Sequence, residues 1–422
     1  MDRKRTPTVD LLNANEIVVD QEYVQLVGSA LTDFGVTVTG TESNDRLGLG
    51  RLLLTGAAVS AEDASTDAGV ADAVQPYWEQ ALKVIADGGG PAPSNLDVCL
   101  AAIRERFADS YGGWYPTMGK NRDIADIEGL PYISGGGSTS KVPEPAPAHA
   151  LQRADSARPT GVRVGVADTP IFANPQLAGR YLNFGDELRP EGEVRPAAGH
   201  ATFIAGLVLQ RAPGALLVVR PVLDQRARGT SWDVATALMD FLDDDKRVDV
   251  LPLAFGTYAR DGRPPLVIAR AVERLAPHTV VLAAAGNHGE EPEVAAPGQL
   301  TNRTVTYPAA IDDVCAVAAA KADGTLASFS PPRLPWFKLS APGVDVESLF
   351  LDGPVVTCPD ATDPDQRAPR FTGWARWSGS SFAVATVAGE IARRTVPGRR
   401  TAHEALDEII AGADGDDGIC PV

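Results

Sequence analysis

VRVGVAD (residues 162–168) is an unbroken run of apolar and small side chains, with one arginine, that stops on an aspartate. Runs of the same kind recur downstream: ALLVVRPVL at 215–223, VDVLPLAF at 248–255, TVVLAAAG at 279–286 and VCAVAAA at 314–320. Helix-length segments such as SWDVATALMDFL (231–242) and PLVIARAVERLA (265–276) lie between them. Strands that are apolar throughout, with helices between them, are what a parallel sheet covered on both faces requires. Residues 161–400 are therefore expected to form one doubly wound, mostly parallel α/β domain.

An open parallel sheet presents its functional groups at the carboxyl ends of its strands. Three places follow from that rule. Asp168 ends the first run and is followed by Thr169, Pro170 and Ile171; on its own a strand-terminal Asp is also an ordinary turn or cap residue. His200, in GHATFIAGLVL (199–209), directly precedes a small-residue helical run, although a lone His is often a solvated or merely satisfied side chain. Ser381, in WSGSSFAVATVAGEIARR (377–394), opens a helix made almost wholly of small and apolar residues. A serine there is ordinarily an N-cap, but a buried helix start would aim its dipole and unpaired N–H groups at whatever lies in front of Ser381.

The three occur in the order Asp, His, Ser, which differs from Ser, Asp, His in α/β-hydrolases and His, Asp, Ser in chymotrypsin-like enzymes. Ser381 also lacks the G-x-S-x-G elbow, because Ala383 stands two residues beyond it. The chain resembles the subtilases, the subtilisin-like serine proteases. Asp168-Thr-Pro-Ile is similar to D-[ST]-G-[IV], His200-Ala-Thr-Phe-Ile-Ala-Gly to H-G-T-H-V-A-G, and Gly379-Ser-Ser-Phe-Ala-Val-Ala to G-T-S-[MF]-A-x-P. VDVLPLAFG, AAAGN, YPA (307–309), ASFS (327–330) and APG (341–343) match further family segments in the family's order.

The resemblance implies a serine endopeptidase with Ser381 as nucleophile, His200 as general base and Asp168 orienting the base. It further implies Asn287 and the Ser381 backbone N–H as the oxyanion hole. Ala254, Phe255 and Gly256 would take substrate as an added β-strand, and Ala283, Ala284, Ala285 and Gly286 would line its binding site. Small, uncharged alanines there suit an apolar residue before the scissile bond; Glu290 and Glu291 nearby would instead favour a basic one. Pro170, Ala201, Phe203 and Ala385 depart from the motifs, and Pro252 sits inside an expected strand although it cannot donate to a ladder. These departures motivate the alternative of a catalytically degenerate subtilase that binds peptides in a regulatory role.

Upstream, residues 1–133 are read as a smaller α+β domain: strand EIVV, helix YVQLVGSAL, strand VTVT, the run RLGLGRLLL and two helical stretches. Its start resembles a subtilase propeptide, and it is expected to act in cis as inhibitor, chaperone or substrate recruiter, the alternative being an unrelated helical module. Residues 134–160, rich in Gly, Ser, Pro and Ala, read as a flexible linker open to self-cleavage, and 401–422 as an acidic tail.

A formal charge of −17 argues against a nucleic-acid partner, which needs clustered Lys and Arg. With 44% hydrophobic residues and no run of membrane-spanning length, no membrane partner is expected; the partner is a protein or peptide substrate. The basic N-terminus lacks an apolar signal stretch, so a cytoplasmic location is expected. Cys99, Cys315, Cys358 and Cys420 are scattered without a C-x-x-C pair and read as reduced thiols, Cys315 within a buried strand. No cofactor is required. The acidic stretches Asp243–Asp245 and Asp414, Asp416 and Asp417 could hold calcium, but without a full ligand pattern they read as solvated faces.

Overall fold

Each apolar run becomes a strand buried on both faces. The computed structural model describes residues 12–56, 72–87, 93–126, 142–151, 161–259, 261–295, 299–332, 334–412 and 420–421. The N-terminal part contains β1 (Leu12–Asp20), α1 (Val24–Thr32), β2 (Thr37–Asn44), β3 (Leu49–Thr55), α2 (Trp78–Asp87), α3 (Asn95–Ser110) and β4 (Met118–Asp126). After β5 (Glu144–Pro145) come β6 (Arg163–Asp168), β7 (Tyr181–Asn183), α4 (His200–Arg211), β8 (Leu216–Pro221), β9 (Arg228–Thr230), α5 (Ser231–Leu238), β10 (Val250–Leu253) and β11 (Phe255–Gly256). The chain continues through α6 (Leu266–Leu275), β12 (Val280–Ala284), β13 (Cys315–Ala320), β14 (Phe337–Pro342), β15 (Val346–Pro354), α7 (Pro364–Arg367), β16 (Arg370–Trp377), α8 (Ser380–Arg394), α9 (Ala402–Ala411) and β17 (Cys420–Pro421).

The main sheet has the order β17-β14-β13-β12-β10-β6-β8-β7, and all its pairings are parallel. Alternate residues of a strand face opposite sides. Val250 accordingly joins the core beneath α4 and α8, while Leu251 and Leu253 join the core beneath α5 and α6. This is the doubly wound α/β architecture. Strand order reverses between β6, which is followed outward by β8, and β10, which is followed by β12. That reversal places Asp168, which ends β6, and Ala254, just beyond the end of β10, on either side of a switch-point crevice. Pro252 is accommodated because the ladder from β10 to β6 is confined to Val250↔Val164, while that to β12 runs through Leu253.

The small residues of α8 have a steric cause. The helix is buried from Ser380 through Ala392. A Cβ on Gly389 would lie 2.7 Å from Arg211 Cβ and 2.8 Å from Val208 O, and one on Gly206 would lie 2.2 Å from Ser348 Oγ. A larger side chain at Gly389 would hold α8 off α4, and one at Gly206 would hold α4 off β15. Fully buried Phe203 and Phe382 fill the space nearer the site, each contributing about 1.5–3 kcal/mol by leaving water.

The N-terminal strands form an antiparallel sheet in which Ile17 and Val19 face the module's own core, with Val27, Leu31 and Ile103. Val18, pointing the other way with Leu47, Leu49 and Ile124, packs into the core that holds Trp232 of α5 and Val267 of α6. The run IVV is apolar without a break because both faces are covered.

Two stretches differ from expectation. Within 134–160, residues 142–151 dock on the α/β body: β5 pairs with β16, the His149 ring lies 2.8 Å from Glu347 Oε2, and Leu151 is buried with its N–H on Gln176 Oε1. Backbone pairing to a sheet edge needs few apolar anchors, so composition does not reveal it. The start of 401–422 is helical; Thr401 and Glu404 form a capping box for α9, and β17 extends the parallel sheet beside β14. Asp414, Asp416, Asp417 and the other linker residues lie outside the described residues. Asp243 is paired with Arg46 and Lys246.

Candidate active site

Asp168 is the last residue of β6 and His200 the first of α4, both buried. His200 Nδ1 lies 2.9 Å from each carboxylate oxygen of Asp168. A carboxylate only accepts, so Nδ1 carries the hydrogen. Asp168 Oδ1 also accepts the Thr169 N–H at 2.7 Å, and Thr169 Oγ1 accepts the Ala201 N–H at 3.3 Å. One turn thus holds both the carboxylate and the start of α4.

The departures from the motifs are packed rather than disruptive. The imidazole stands edge-on to Trp377 at 5.9 Å and beside Phe382 at 5.7 Å. Phe203 packs behind them, 4.4 Å from Phe382 and 5.7 Å from Trp377. Ala201 and Ala385 are completely buried, and Thr202 Oγ1 accepts the Phe172 N–H just beyond Pro170 and Ile171. An apolar wall of this kind excludes water from the pair.

Ser380 and Ser381 begin α8. The Ser381 hydroxyl donates to the Ala254 carbonyl at 2.9 Å, tying the helix start to the residue between β10 and β11. Ser380 N–H donates to Asn287 Oδ1 at 2.9 Å, while Ser380 Oγ accepts Gly286 N–H at 3.3 Å. With Oδ1 engaged, the Asn287 amide can be oriented only one way. Its Nδ2 is buried and, among the described residues, has no hydrogen-bond partner. A buried donor left unpaired costs about 1–3 kcal/mol, and a negatively charged oxygen placed before it would recover that cost.

The structure therefore brings Ser381, Ala254, Gly286 and Asn287 to one spot, with His200 beside Phe382. Ala283–Ala285 are completely buried, at the end of β12. Phe255 and Gly256 form β11 and are already paired, antiparallel, with Asp126 and Ala125 of β4. The other edge of β4 pairs with β9, through Asp123↔Thr230, Ile124↔Gly229 and Ala125↔Arg228. A segment of the N-terminal module lies along the edge assigned to an extended peptide.

That segment is fastened by polar contacts. Asn121 Oδ1 accepts from Ser231 Oγ and from the Trp232 N–H at the start of α5, both at 2.8 Å. Arg122 reaches both oxygens of Asp261 at 2.8 Å, and in the neighbouring strand β1 Asp20 pairs with Arg270 at 3.0 Å. Lys120, buried, meets Asp97 at 2.7 Å; burial works against ionisation of Asp97, but Lys120 and Ser94 hold its carboxyl below the usual range.

His288 lies in the loop after β12, buried next to Asn287. Burial pushes its imidazole down to about 4, with the Thr304 carbonyl opposing the shift. Among the described residues no group of three or more His, Cys, Asp or Glu is arranged to hold a metal, and no helix is long and apolar enough to cross a membrane.

A parallel sheet with helices on both faces, a buried Asp–His pair at its switch point and a serine heading a buried central helix define a subtilisin-like α/β protein. The chain belongs to the Subtilase family, whose profile matches residues 159–403. It is similar to Serine protease AprX of Bacillus subtilis (strain 168), 29% identical over 256 residues that cover 54% of this chain and 55% of AprX. The Thermostable alkaline protease of Halalkalibacterium halodurans is 30% identical over 199 residues, 45% of this chain and 50% of that protein. The chain thus matches about half the length of these relatives. A crystal structure of a lanthipeptide protease superposes with a TM-score of 0.47 at 21% identity, covering 59% of this chain and 79% of that one.

Proposed function

We propose that this protein is a serine endopeptidase acting on an extended segment of a protein or peptide. The observation that carries the reading is the orphaned donor of Asn287 beside Ser381, at the same switch point as the doubly held Asp168–His200 pair. Ser381 Oγ leaves the Ala254 carbonyl by rotation about its Cα–Cβ bond and attacks the scissile carbonyl carbon as His200 Nε2 takes its proton. Asp168 keeps the hydrogen on Nδ1 and stabilises the imidazolium. The carbonyl oxygen, now negative, is received by Asn287 Nδ2–H and the Ser381 N–H at the positive end of α8. Collapse of the adduct breaks the C–N bond, and the amine leaves with the proton from His200. Water, deprotonated by the same ring, then releases the acyl group from Ser381.

A fluorophosphonate probe tests this directly. It should label the wild-type chain on Ser381, and a wild type that stays unlabelled while a known subtilase reacts would favour the degenerate, peptide-binding reading. Asn287→Ala should lower kcat by about 10²–10³-fold, roughly 3–4 kcal/mol, with KM little changed, because the donor is engaged only when the oxyanion forms. A rise in KM at unchanged kcat would remove Asn287 from that role.

Of the three roles open to the N-terminal module, inhibition in cis is favoured by β4, which occupies the edge between β9 and β11. Its grip rests in part on the Arg122–Asp261 pair, and truncating one member of such a buried pair costs about 3–5 kcal/mol. Arg122→Ala should therefore raise the initial rate of peptide hydrolysis at least about tenfold and shorten any lag. Identical progress curves for variant and wild type would argue for recruitment or chaperoning instead.

A further inference from the structure

The buried side chain next to Asn287 is tied to two other segments. His288 Nε2 lies 2.9 Å from the Thr304 carbonyl oxygen. That oxygen can only accept, so Nε2 carries the hydrogen and donates. In a neutral ring Nδ1 is then an acceptor, and it takes the Tyr258 O–H at 3.1 Å. The two rings stand edge to face, 5.2 Å apart at 88°, and both are buried.

Their places in the chain give this contact its meaning. Tyr258 lies two residues beyond Gly256, which pairs with Ala125 of β4. Between them, Thr257 exchanges backbone hydrogen bonds with Tyr307, at 2.8 and 3.0 Å. The imidazole also packs directly on the peptide before Asn287: a Cβ on Gly286, whose φ is +118°, would come within 2.6 Å of His288 Cε1 and Nδ1. On the far side, the Gly289 N–H bonds to the Phe329 carbonyl. One ring thereby joins the backbone carrying the Asn287 carboxamide to the strand edge that would hold a peptide.

We propose that Tyr258 and His288 are positioning residues for Asn287, fixing the backbone from which its Nδ2 projects and coupling it to the peptide-binding edge. The proposal rests on the endopeptidase reading above. The pair touches neither substrate nor reacting atoms; it acts through Asn287, whose Oδ1 is held independently by the Ser380 N–H.

A double-mutant cycle with Asn287 tests it. Tyr258→Phe keeps the ring and removes only the hydroxyl; it should lower kcat about tenfold with KM unchanged within about twofold. His288→Ala should lower kcat by about a hundredfold. His288→Gln should recover most of that loss, since its amide offers one donor for Thr304 and one acceptor for Tyr258. On an Asn287→Ala background the same substitutions should cost less than about twofold, because the group they position is gone. Equal losses on both backgrounds, or a change confined to KM, would overturn the proposal.

A readout that needs no turnover separates this from failure of the endopeptidase reading. In ¹⁵N NMR of the Ser381→Ala protein, His288 should be the Nε2–H tautomer, and the Asn287 carboxamide resonance should move on Tyr258→Phe. An Nδ1–H tautomer, or an unmoved Asn287 resonance, overturns the pair even if the wild type is active. A wild type that neither cleaves peptide nor reacts with fluorophosphonate, with both NMR results as expected, sinks the endopeptidase reading and leaves the positioning role standing.

Discussion

Ser381→Ala is expected to lower kcat for peptide hydrolysis by about a million-fold, the scale of loss when a triad serine is removed and only the oxyanion donors and binding remain. The substitution removes one oxygen, which donates to the Ala254 carbonyl. Ser381 lies at the start of a helix whose N–H groups are also met by Asn287, so α8 should keep its place and the protein its thermal stability. Intact mass supplies a second reading of the same variant. If the wild type cuts itself between the strand that ends at Asp126 and the docked residues from 142 onward, it yields two fragments, whereas Ser381→Ala stays at 44.3 kDa. Two fragments from both proteins would assign the cut to another protease. Residual hydrolysis of the same size in wild type and variant would remove Ser381 from the chemistry.

The parallel sheet was legible because its strands are buried on both faces: VDVLPLAF and VCAVAAA carry no polar face to confuse the pattern. Asp168, His200 and Ser381 were individually ambiguous, and it was their order along the chain that marked them as one candidate set. The segment in the cleft could not be found that way. β4 reads MGKNRDIAD, with Lys120, Asn121 and Arg122 in succession, which looks like an exposed loop. Those three side chains are buried because their partners, Asp97, Ser231 and Asp261, come from distant parts of the chain. A strand whose burial is earned by polar partners has no apolar period to reveal it. The same holds for His288, whose burial depends on Tyr258 and on Thr304 across a turn, and for residues 142–151, which are held mainly through the backbone and polar side chains.

Asp168→Asn should cost about 10⁴-fold in kcat while leaving Ser381 in place. Asp168 Oδ1 is shared between the Thr169 N–H at 2.7 Å and His200 Nδ1, and Oδ2 faces Nδ1 as well. An asparagine in the same rotamer must keep its oxygen toward Thr169 N–H, since an NH₂ there would set donor against donor. Its Nδ2 then occupies the place of Oδ2 and points hydrogens at Nδ1. The imidazole can relieve that only by shifting its own hydrogen to Nε2, the nitrogen that has to be bare to take the proton of Ser381. The wall of Trp377, Phe203 and Phe382 around the ring leaves little room for it to turn and evade the conflict. Fluorophosphonate labelling should slow by a similar factor yet still reach Ser381, whereas Ser381→Ala is never labelled. If Asp168→Asn reacts at the wild-type rate, the carboxylate does not select the tautomer and serves only to anchor the first turn of α4.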